Sequence, residues 1–301
     1  MAPFALTGKD GKLYGRGTAD MEGYIACVLA AVPKLLAASL RIPMHIALSY
    51  DEEVGCLGVR SLLAQLAQPP VKPLLCTIGE PTELKSVLGH KGKLAIRCDV
   101  RGAACHSAYA PHGVNAIEYA AQLIGEPGRI GTRLRTSELH DSRFDPPFRT
   151  VQTGLISGGK ALNIVPADCS FDFEVRVLPG QDPRAVTDQL AHYAEHQVLP
   201  HMRAVDGQSS ICFSELSAYL GLLTDARNHA ARLIAQFCGS SEFATVAFGT
   251  EGGLFNAIGI PTVVCGPGSM DQGNKGDEFI SVEQLDARDA MLERIAQSLQ
   301  G

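Results

Sequence analysis

Two short apolar segments that end in acidic residues constrain the fold of this chain more than any other feature. Residues 44–50 predict a strand that ends at Asp51-Glu52-Glu53, and residues 74–78 predict a strand that ends just before Glu80. Helical segments alternate with such strands, which is typical of a parallel sheet buried on both faces. Because ligands bind beyond the carboxyl ends of parallel strands, we expect these acidic residues to meet at one functional edge.

A glycine-rich turn supplies a further carboxylate. Residues 13–23 read LYGRGTADMEG and lead into a long apolar helix predicted over residues 24–40. Glycines permit sharp bends, so Asp20 is held at the mouth of that helix, where it either binds a cation or caps the helix. The acidic run at 51–53 is likewise either part of a metal site or a solvated loop. If these carboxylates meet Glu80, their repulsion requires a compensating cation.

The pattern of elements changes between residues 86 and 200. Here the order strand–helix–strand–strand–helix predicts a small α+β sandwich inserted into the first domain. We therefore expect a catalytic α/β domain made of residues 1–85 and 201–301 and an inserted domain at 86–200. The strands of the insert are predicted at 92–100, 150–156 and 169–177, its helices at 114–124 and 183–198, and a polar connection at 126–147. The first domain is predicted to resume with a strand at 210–213, a helix at 225–237, strands at 244–248 and 261–265, and a helix at 282–299.

The composition is that of a soluble globular protein. The 301 residues are 46% hydrophobic and 19% charged, and the net charge of -6 argues against a nucleic-acid partner. The apolar segment at 24–40 is interrupted by Pro33-Lys34 and is too short for a membrane span. Nine cysteines without a C-x-x-C pair, together with no visible signal peptide, predict reduced core thiols in a cytoplasmic protein.

Short motifs follow one another in a fixed order along nearly the whole chain. They are GRGTADMEG at 15–23, DEEVG at 51–55, GEPT at 79–82, HKG at 90–92, ACHS at 104–107, PHGVNA at 111–116, GGKALNIVP at 158–166, Arg176, FGTEGG at 248–253 and CGPGS at 265–269. The ordered set resembles the M20 family of metal-dependent amidohydrolases and peptidases, typified by acetylornithine deacetylase, succinyl-diaminopimelate desuccinylase and carboxypeptidase G. Within that family, the motifs at 79–82 and 248–253 look most like acetylornithine deacetylase.

The resemblance implies both a fold and an activity. The implied fold is a zinc-peptidase-like α/β domain with a mixed, mainly parallel sheet and helices on both faces, plus an inserted ferredoxin-like lid domain that carries dimerisation. The implied activity is metal-dependent removal of an N-acyl group from an amino acid, as in the deacetylation of N-acetylornithine in arginine biosynthesis. The implied cofactor is zinc or cobalt at a two-metal site. The implied partners are a small-molecule N-acyl amino acid and a second copy of the chain, with no membrane or nucleic acid.

Five residues receive catalytic or metal-binding roles from the resemblance. Asp20 would bridge two metals, Glu53 would bind one of them, and Glu80 would bind the other. Glu52 would act first as the general base and then as the general acid. His106, in the inserted domain, would help to polarise the scissile carbonyl. Considered from the sequence alone, His106 could instead order its own turn.

Three further residues receive substrate-binding roles from the resemblance. Asn163 and Arg176 would hold the substrate, with the bidentate fork of Arg176 suited to a carboxylate. Glu251 would face the amine end of the substrate. Considered from the sequence alone, Asn163 could be a turn former and Arg176 a surface residue.

Two departures from the family pattern concern the metal ligands. The family's early Gly-His-x-Asp motif would fall before residue 1, and the position of its later metal-binding histidine is occupied by Asn274. An amide is a poorer zinc ligand than an imidazole, so we expect the metal site to be empty or partly filled and the activity to be low or absent. The alternatives are a non-catalytic or regulatory relative that binds an acyl-amino acid or a partner, and a fragment of a longer enzyme.

Overall fold

The chain forms two compact units. The computed structural model describes residues 1–68, 73–137, 140–239 and 242–300. The first unit comprises Met1–His90 and Leu222–Gly301, and the second comprises Lys91–Gly221. Both boundaries of the second unit lie later than the predicted 86 and 200. Within the described ranges, no helix combines the length and the apolar character that crossing a membrane would require.

The described elements alternate between strands and helices along much of the chain. The strands are β1 (Thr7–Lys9), β2 (Lys12–Tyr14), β3 (Cys76–Pro81), β4 (Ser86–His90), β5 (Gly92–Arg101), β6 (Thr150–Gly158), β7 (Asp168–Val177), β8 (Ser210–Tyr219), β9 (Leu222–Leu223), β10 (Phe243–Val246), β11 (Thr262–Gly266) and β12 (Phe279–Ser281). The helices are α1 (Glu22–Ala37), α2 (Val59–Leu66), α3 (Ala116–Ser137), α4 (Arg184–Tyr193), α5 (Leu199–Val205), α6 (His229–Cys238), α7 (Gly252–Ala257) and α8 (Val282–Gln300). A 3-10 turn spans Ser107–His112, and a π turn at Ala194–Val198 joins α4 to α5.

The first unit contains two sheets. The larger sheet has the order β10-β4-β11-β3, with β9 paired to β4. The pairs β10–β4 and β11–β3 are parallel, whereas β11–β4 and β4–β9 are antiparallel, so the sheet is mixed. The smaller sheet, β1-β2-β12, is antiparallel and places Phe279 opposite Tyr14. This register brings Glu278, the residue that precedes β12, to the start of the glycine-rich turn.

The hydrophobic core of the first unit lies between its larger sheet and the helices α6 and α8. Val263 and Cys265 of β11 pack with Ile234 of α6 and Met291 of α8, and all four side chains are buried. Burial of such side chains removes apolar surface from water, which stabilises the layered arrangement. β3 and β11 are thereby fixed, and β3 carries Glu80 at its carboxyl end.

The second unit is a four-stranded antiparallel sheet covered by helices. The strand order is β6-β7-β5-β8, and β5 pairs with β7 from Gly92↔Val177 to Arg101↔Asp168. Alternate residues of β5 and β7 are buried, as expected for a sheet with one packed face. Those side chains form one core with α3 and α4 that includes Leu123, Ile130, Phe171, Val175 and Leu190.

The strand predicted at residues 44–50 is wrong. Residues 43–50 belong to no helix or strand, and no described strand pairs with them. Leu48 and Tyr50 are 64% and 67% exposed, so the apolar character of the segment does not translate into burial. A strand depends on a neighbouring ladder of hydrogen bonds, which the local sequence cannot supply.

Two further predictions are corrected by the structure. The polar connection predicted at 126–147 is helical up to Ser137, because Leu123, Ile130 and Leu134 continue one buried stripe past Pro127. Residues 138 and 139 of that prediction lie outside the described residues. The strand predicted at 210–213 is the start of β8, which pairs with β5 of the second unit and so belongs there. The short strand β4 was not predicted.

Removing the side chain of Leu123 tests the core of the second unit. Leu123 is fully buried, so Leu123→Ala is expected to lower the free energy of unfolding by about 2–5 kcal/mol through lost burial and a residual cavity. Leu155, which is 66% exposed on β6, provides the matched control, and Leu155→Ala should change it by no more than about 0.5 kcal/mol. Urea unfolding followed by circular dichroism measures both, and equal effects would contradict the assigned core.

Candidate active site

Glu278 organises the glycine-rich turn that carries Asp20. Its buried carboxylate accepts hydrogen bonds from the backbone N–H groups of Ala19 and Asp20, at 2.9 and 3.2 Å to Oε1. Its Oε2 accepts from Nη1 of Arg16 at 3.0 Å, and its carbonyl oxygen accepts from the N–H of Gly15. These contacts hold the glycine-rich turn in place from a distant part of the sequence. No local signal in the sequence marks Glu278, because only the pairing of β12 with β2 brings it there.

Asp20 is bound by the amide that occupies the predicted histidine position. Nδ2 of Asn274 donates to Oδ2 of Asp20 at 3.0 Å. Helix α1 begins after Met21 without any side-chain capping bond, so Asp20 does not cap it. Burial, with repulsion from Glu53, raises the pKa of Asp20 above its usual value. The structure therefore favours a site role for Asp20 over the capping role.

Glu80 is the most deeply buried of the predicted metal ligands. Only 5% of Glu80 is exposed at the carboxyl end of β3. Burial first, and then the charges of Asp20 and Glu52, raise the pKa of Glu80 well above its usual value. A side-chain hydrogen bond with Asp20 raises the pKa of Glu80 further. The predicted meeting of carboxylates from separate segments is observed for this pair.

Glu52 has a carboxyl group that titrates near neutral pH. Burial, followed by repulsion from Glu53, raises its pKa to about 7. Sγ of Cys56 donates to Oε1 of Glu52 at 3.6 Å, and the turn is closed by N–H groups of Gly55 and Cys56 that donate to the carbonyl oxygen of Glu52. A carboxyl with a pKa near 7 can both accept and release a proton at neutral pH, which suits a general base that later acts as an acid.

Glu251 is buried, and only one of its two carboxylate oxygens has a hydrogen-bond partner among the described residues. Its Oε2 accepts from Oγ of Ser49 at 2.9 Å, while its buried Oε1 has no hydrogen-bond partner among the described residues. Burial raises the pKa of Glu251. The turn itself is fixed by Thr250, whose Oγ1 is 3.0 Å from Nε2 of the buried His90 and accepts from the N–H of Gly252 at 2.9 Å. Sequence analysis named the motif of His90 but gave this residue no role.

In the second unit, His106 and Asn163 are neighbours. An isolated β-bridge pairs His106 with Ile164, and the N–H of Ser107 donates to the carbonyl oxygen of Asn163 at 3.0 Å. Nδ1 of His106 accepts from the N–H of Ala108 at 3.1 Å, so His106 does order its turn. That bond uses one ring nitrogen and leaves Nε2 outside it, which keeps a catalytic role compatible with the geometry.

Arg176 is held by its neighbours in the sheet of the second unit. Its Nε donates to Oε1 of Glu174 at 3.1 Å, and its Nη1 donates to the hydroxyl of Tyr219 at 2.7 Å. Arg176 is therefore part of a fixed polar network rather than an unconstrained surface residue. A substrate carboxylate would have to share the guanidinium with Glu174.

The carboxylates of the first unit fit a divalent cation by charge but not zinc by ligand type. Burial raises the pKa values of Asp20, Glu52 and Glu80, and repulsion from Glu53 adds to all three shifts, so a cation would relieve part of them. In the part of the chain that the structure describes, however, no three His, Cys, Asp or Glu side chains are grouped so as to hold a metal ion. The available donors are oxygens, and Asn274 presents its N–H to Asp20 where zinc would need an imidazole.

Comparison with known proteins defines the family. Residues 88–202 match the M20 peptidase dimerisation domain. The chain is 36% identical over 290 residues to acetylornithine deacetylase from Myxococcus xanthus, covering 96% of this chain and 73% of that protein. It is 33% identical over 293 residues to acetylornithine deacetylase from Pasteurella multocida, covering 97% and 74%. The chain belongs to the M20 family of metallopeptidases and amidohydrolases.

Solved structures confirm the α/β fold class. An M20 family metallo-carboxypeptidase from Sulfolobus solfataricus aligns with a TM-score of 0.75 and 17% identity, covering all of this chain and 80% of that one. The aminopeptidase PepT from Bacillus cereus aligns with a TM-score of 0.72 and 19% identity, covering 99% and 76%. M20 metallopeptidases use a metal, so the family implies one for this chain, and the curated relatives above are acetylornithine deacetylases.

The raised pKa of Glu52 predicts a pH-dependent stability. The carboxyl has a pKa of 4.5 when unperturbed and about 7 in the folded chain, so the folded state alone keeps the proton between these values. Its contribution to stability is fully present below pH 4.5 and is lost as the pH rises through 7. The free energy of unfolding should therefore fall by about 1–3 kcal/mol on this account between pH 5 and pH 8.

Urea titrations from pH 5 to pH 8 in metal-free buffer measure this contribution. Glu52→Gln should flatten the decline, because glutamine does not titrate. Glu195→Gln, at an exposed position, is the control and should leave the slope unchanged. If the Glu52→Gln protein shows the wild-type slope, Glu52 is not a group with a raised pKa.

Proposed function

We propose that this chain is a metal-dependent deacylase that hydrolyses the amide bond of an N-acyl amino acid, with N-acetylornithine as the favoured substrate. The names of the curated relatives supply the substrate class. The observation that carries the chemistry is the carboxyl of Glu52, which lies among buried carboxylates and has a pKa of about 7. Acetylornithine hydrolysis would place the protein in arginine biosynthesis in the cytoplasm.

Glu52 would handle the proton in this reaction. Its carboxylate takes a proton from the water that attacks the amide carbon and later gives that proton to the departing amine nitrogen. We assign Asp20, Glu53 and Glu80 as the carboxylates that would hold a divalent metal, zinc or cobalt in this family, although the described residues do not group them as a ligand set. The metal would supply a Lewis acid for the carbonyl. Burial keeps water away from Glu80 and makes its electrostatic effect larger than it would be in bulk solvent.

Glu251 would recognise the cationic end of an ornithine-like substrate. Its Oε1 is buried and lacks a hydrogen-bond partner among the described residues, which is costly unless an incoming donor satisfies it. An ammonium group would supply that donor and a compensating charge. Ser49 fixes the other carboxylate oxygen and so sets the direction in which Oε1 points.

The second unit would contribute the remaining substrate contacts and the dimer interface. We assign carbonyl polarisation to His106 and substrate binding to Asn163 and Arg176, and the fixed geometry of the latter network supports a preorganised binding surface. The dimerisation-domain match at residues 88–202 supports a homodimer formed through this unit as lid.

Asn274 favours a second candidate function, in which the site binds an acyl-amino acid without hydrolysing it efficiently. The amide donates a hydrogen bond to Asp20 and thereby occupies a carboxylate oxygen that a metal would use. We infer that zinc binds this chain weakly and that turnover is correspondingly low. The two candidates differ in metal content and in turnover, so one set of samples distinguishes them.

The test combines elemental analysis with N-acetylornithine hydrolysis on the same zinc- or cobalt-treated samples. Asn274→His should raise both the bound metal per chain and the turnover, because it adds an imidazole ligand. Gln272→His, which adds a histidine to the same loop at a position without an assigned role, is the control. Glu52→Gln should bind metal normally and lose about 10²–10⁴-fold in turnover.

Each outcome assigns the function differently. Hydrolysis that depends on Glu52 supports the deacylase. Stoichiometric zinc in the unmodified chain would contradict the inference drawn from Asn274 while leaving the deacylase intact. If no metal-loaded protein, including Asn274→His, hydrolyses N-acetylornithine, the deacylase proposal is wrong, and substrate binding measured by calorimetry then decides the second candidate.

A further inference from the structure

Two cysteines that are not neighbours in the sequence meet in the first unit. Cys238 is the last residue of α6, and Cys265 lies in the central strand β11. Their Sγ atoms are 3.2 Å apart, although the residues are 27 positions apart in the chain. Sequence analysis predicted scattered core thiols, since no C-x-x-C spacing marks this pair.

A buried arginine without an acidic partner lies beside these thiols. Arg288 is 2% exposed, its guanidinium lies over the ring of Tyr24 at 4.5 Å, and its Nε has no hydrogen-bond partner among the described residues. Its Nη1 is 3.1 Å from Sδ of Met291, which is itself 3.8 Å from Sγ of Cys238. In the described ranges, no carboxylate forms an ion pair with Arg288. Buried charges are usually paired, so the site is suited to an anion.

The two thiols differ in exposure and in acidity. Cys238 is partly exposed at the end of its helix, where Gly239 adopts φ +74°, whereas Cys265 is fully buried. The hydrogen bond from the thiol of Cys265 lowers the pKa of Cys238 to about 7, helped by a hydrogen bond from the hydroxyl of Ser86 and by the charge of Arg288. The same thiol pair raises the pKa of Cys265 well above its usual value. Cys238 is therefore the accessible thiolate, and Cys265 keeps its proton.

We propose that Cys238 and Cys265 form a peroxide-reactive thiol pair that closes into an intrachain disulfide. The thiolate of Cys238 attacks one oxygen of a hydroperoxide such as hydrogen peroxide, the O–O bond breaks, and Cys238 becomes a sulfenic acid as hydroxide leaves and takes up a proton. Sγ of Cys265 then attacks Sγ of Cys238, and the S–S bond forms as the S–O bond breaks and water leaves. In total, two thiols and one hydrogen peroxide give one disulfide and two water molecules.

The geometry needs only a small adjustment for this step. The sulfurs must approach from 3.2 Å to about 2.0 Å. Cys238 ends its helix next to a glycine, so its side chain can move without displacing the central strand. Neither cysteine belongs to the carboxylate site, so this inference does not rest on the proposed function.

The test oxidises the purified full chain with graded hydrogen peroxide and maps its cysteines by mass spectrometry after alkylation. The expected product is a linked Cys238–Cys265 peptide pair, formed before any other cysteine is oxidised. Cys265→Ser should stop the reaction at a sulfenic acid on Cys238, which dimedone traps. Cys27→Ser, at a buried thiol whose pKa is raised to about 12, is the control and should leave the linkage unchanged.

A second measurement needs no variant. Iodoacetamide at pH 7 should label Cys238 about tenfold faster than Cys212, although Cys212 is the more exposed thiol. Faster labelling of Cys212 would show that exposure rather than the local environment controls reactivity, and it would overturn the proposal. Oxidation of Cys238 to sulfinic acid without any linkage to Cys265 would overturn it as well.

Discussion

Electrostatic repulsion between buried carboxylates is the interaction on which the functional edge of the first unit depends. Asp20, Glu52 and Glu80 come from a turn, a loop and a strand end, and burial makes their charges costly wherever they meet. The amide N–H of Asn274 offsets part of this repulsion at Asp20. One hydrogen bond compensates less negative charge than a divalent cation would, so the carboxylates still favour the binding of positive charge.

The sequence predicted the regular parts of the fold well, because those parts depend on local pattern. The buried alternation of β5 and β7 and the helical segment of α1 arise from residues close together in the chain, although only Cys27 and Val28 of α1 are buried. The segment at 43–50 shows the limit of such reasoning, since a strand also needs a partner that the local pattern does not encode. In helix α3 the sequence pattern instead predicted too little regular structure, because packing of the core keeps the chain helical past Pro127.

The sequence indicated charged residues of the candidate site, but it did not indicate the residues that hold them in place. Asp20 and Glu80 are brought together as the motifs suggested, and the motifs are visible because glycines and acidic residues stand out in sequence. Glu278 and Ser49 are ordinary residues in the sequence. Their roles arise only when β12 pairs with β2 and when Ser49 reaches Glu251, so no local signal could have identified them.

The two points at which the chain passes between its units have an evolutionary consequence. His90, where the chain leaves the first unit, is paired directly with Leu222, where it returns. Within the second unit, Lys93 is likewise paired with Tyr219, so the insert also begins and ends on neighbouring strands. The insert thus occupies the position of a hairpin loop, and a short turn between β4 and β9 would satisfy the same backbone pairing. The arrangement makes the second unit an exchangeable module, whose replacement would leave the backbone pairing of the first unit as it is.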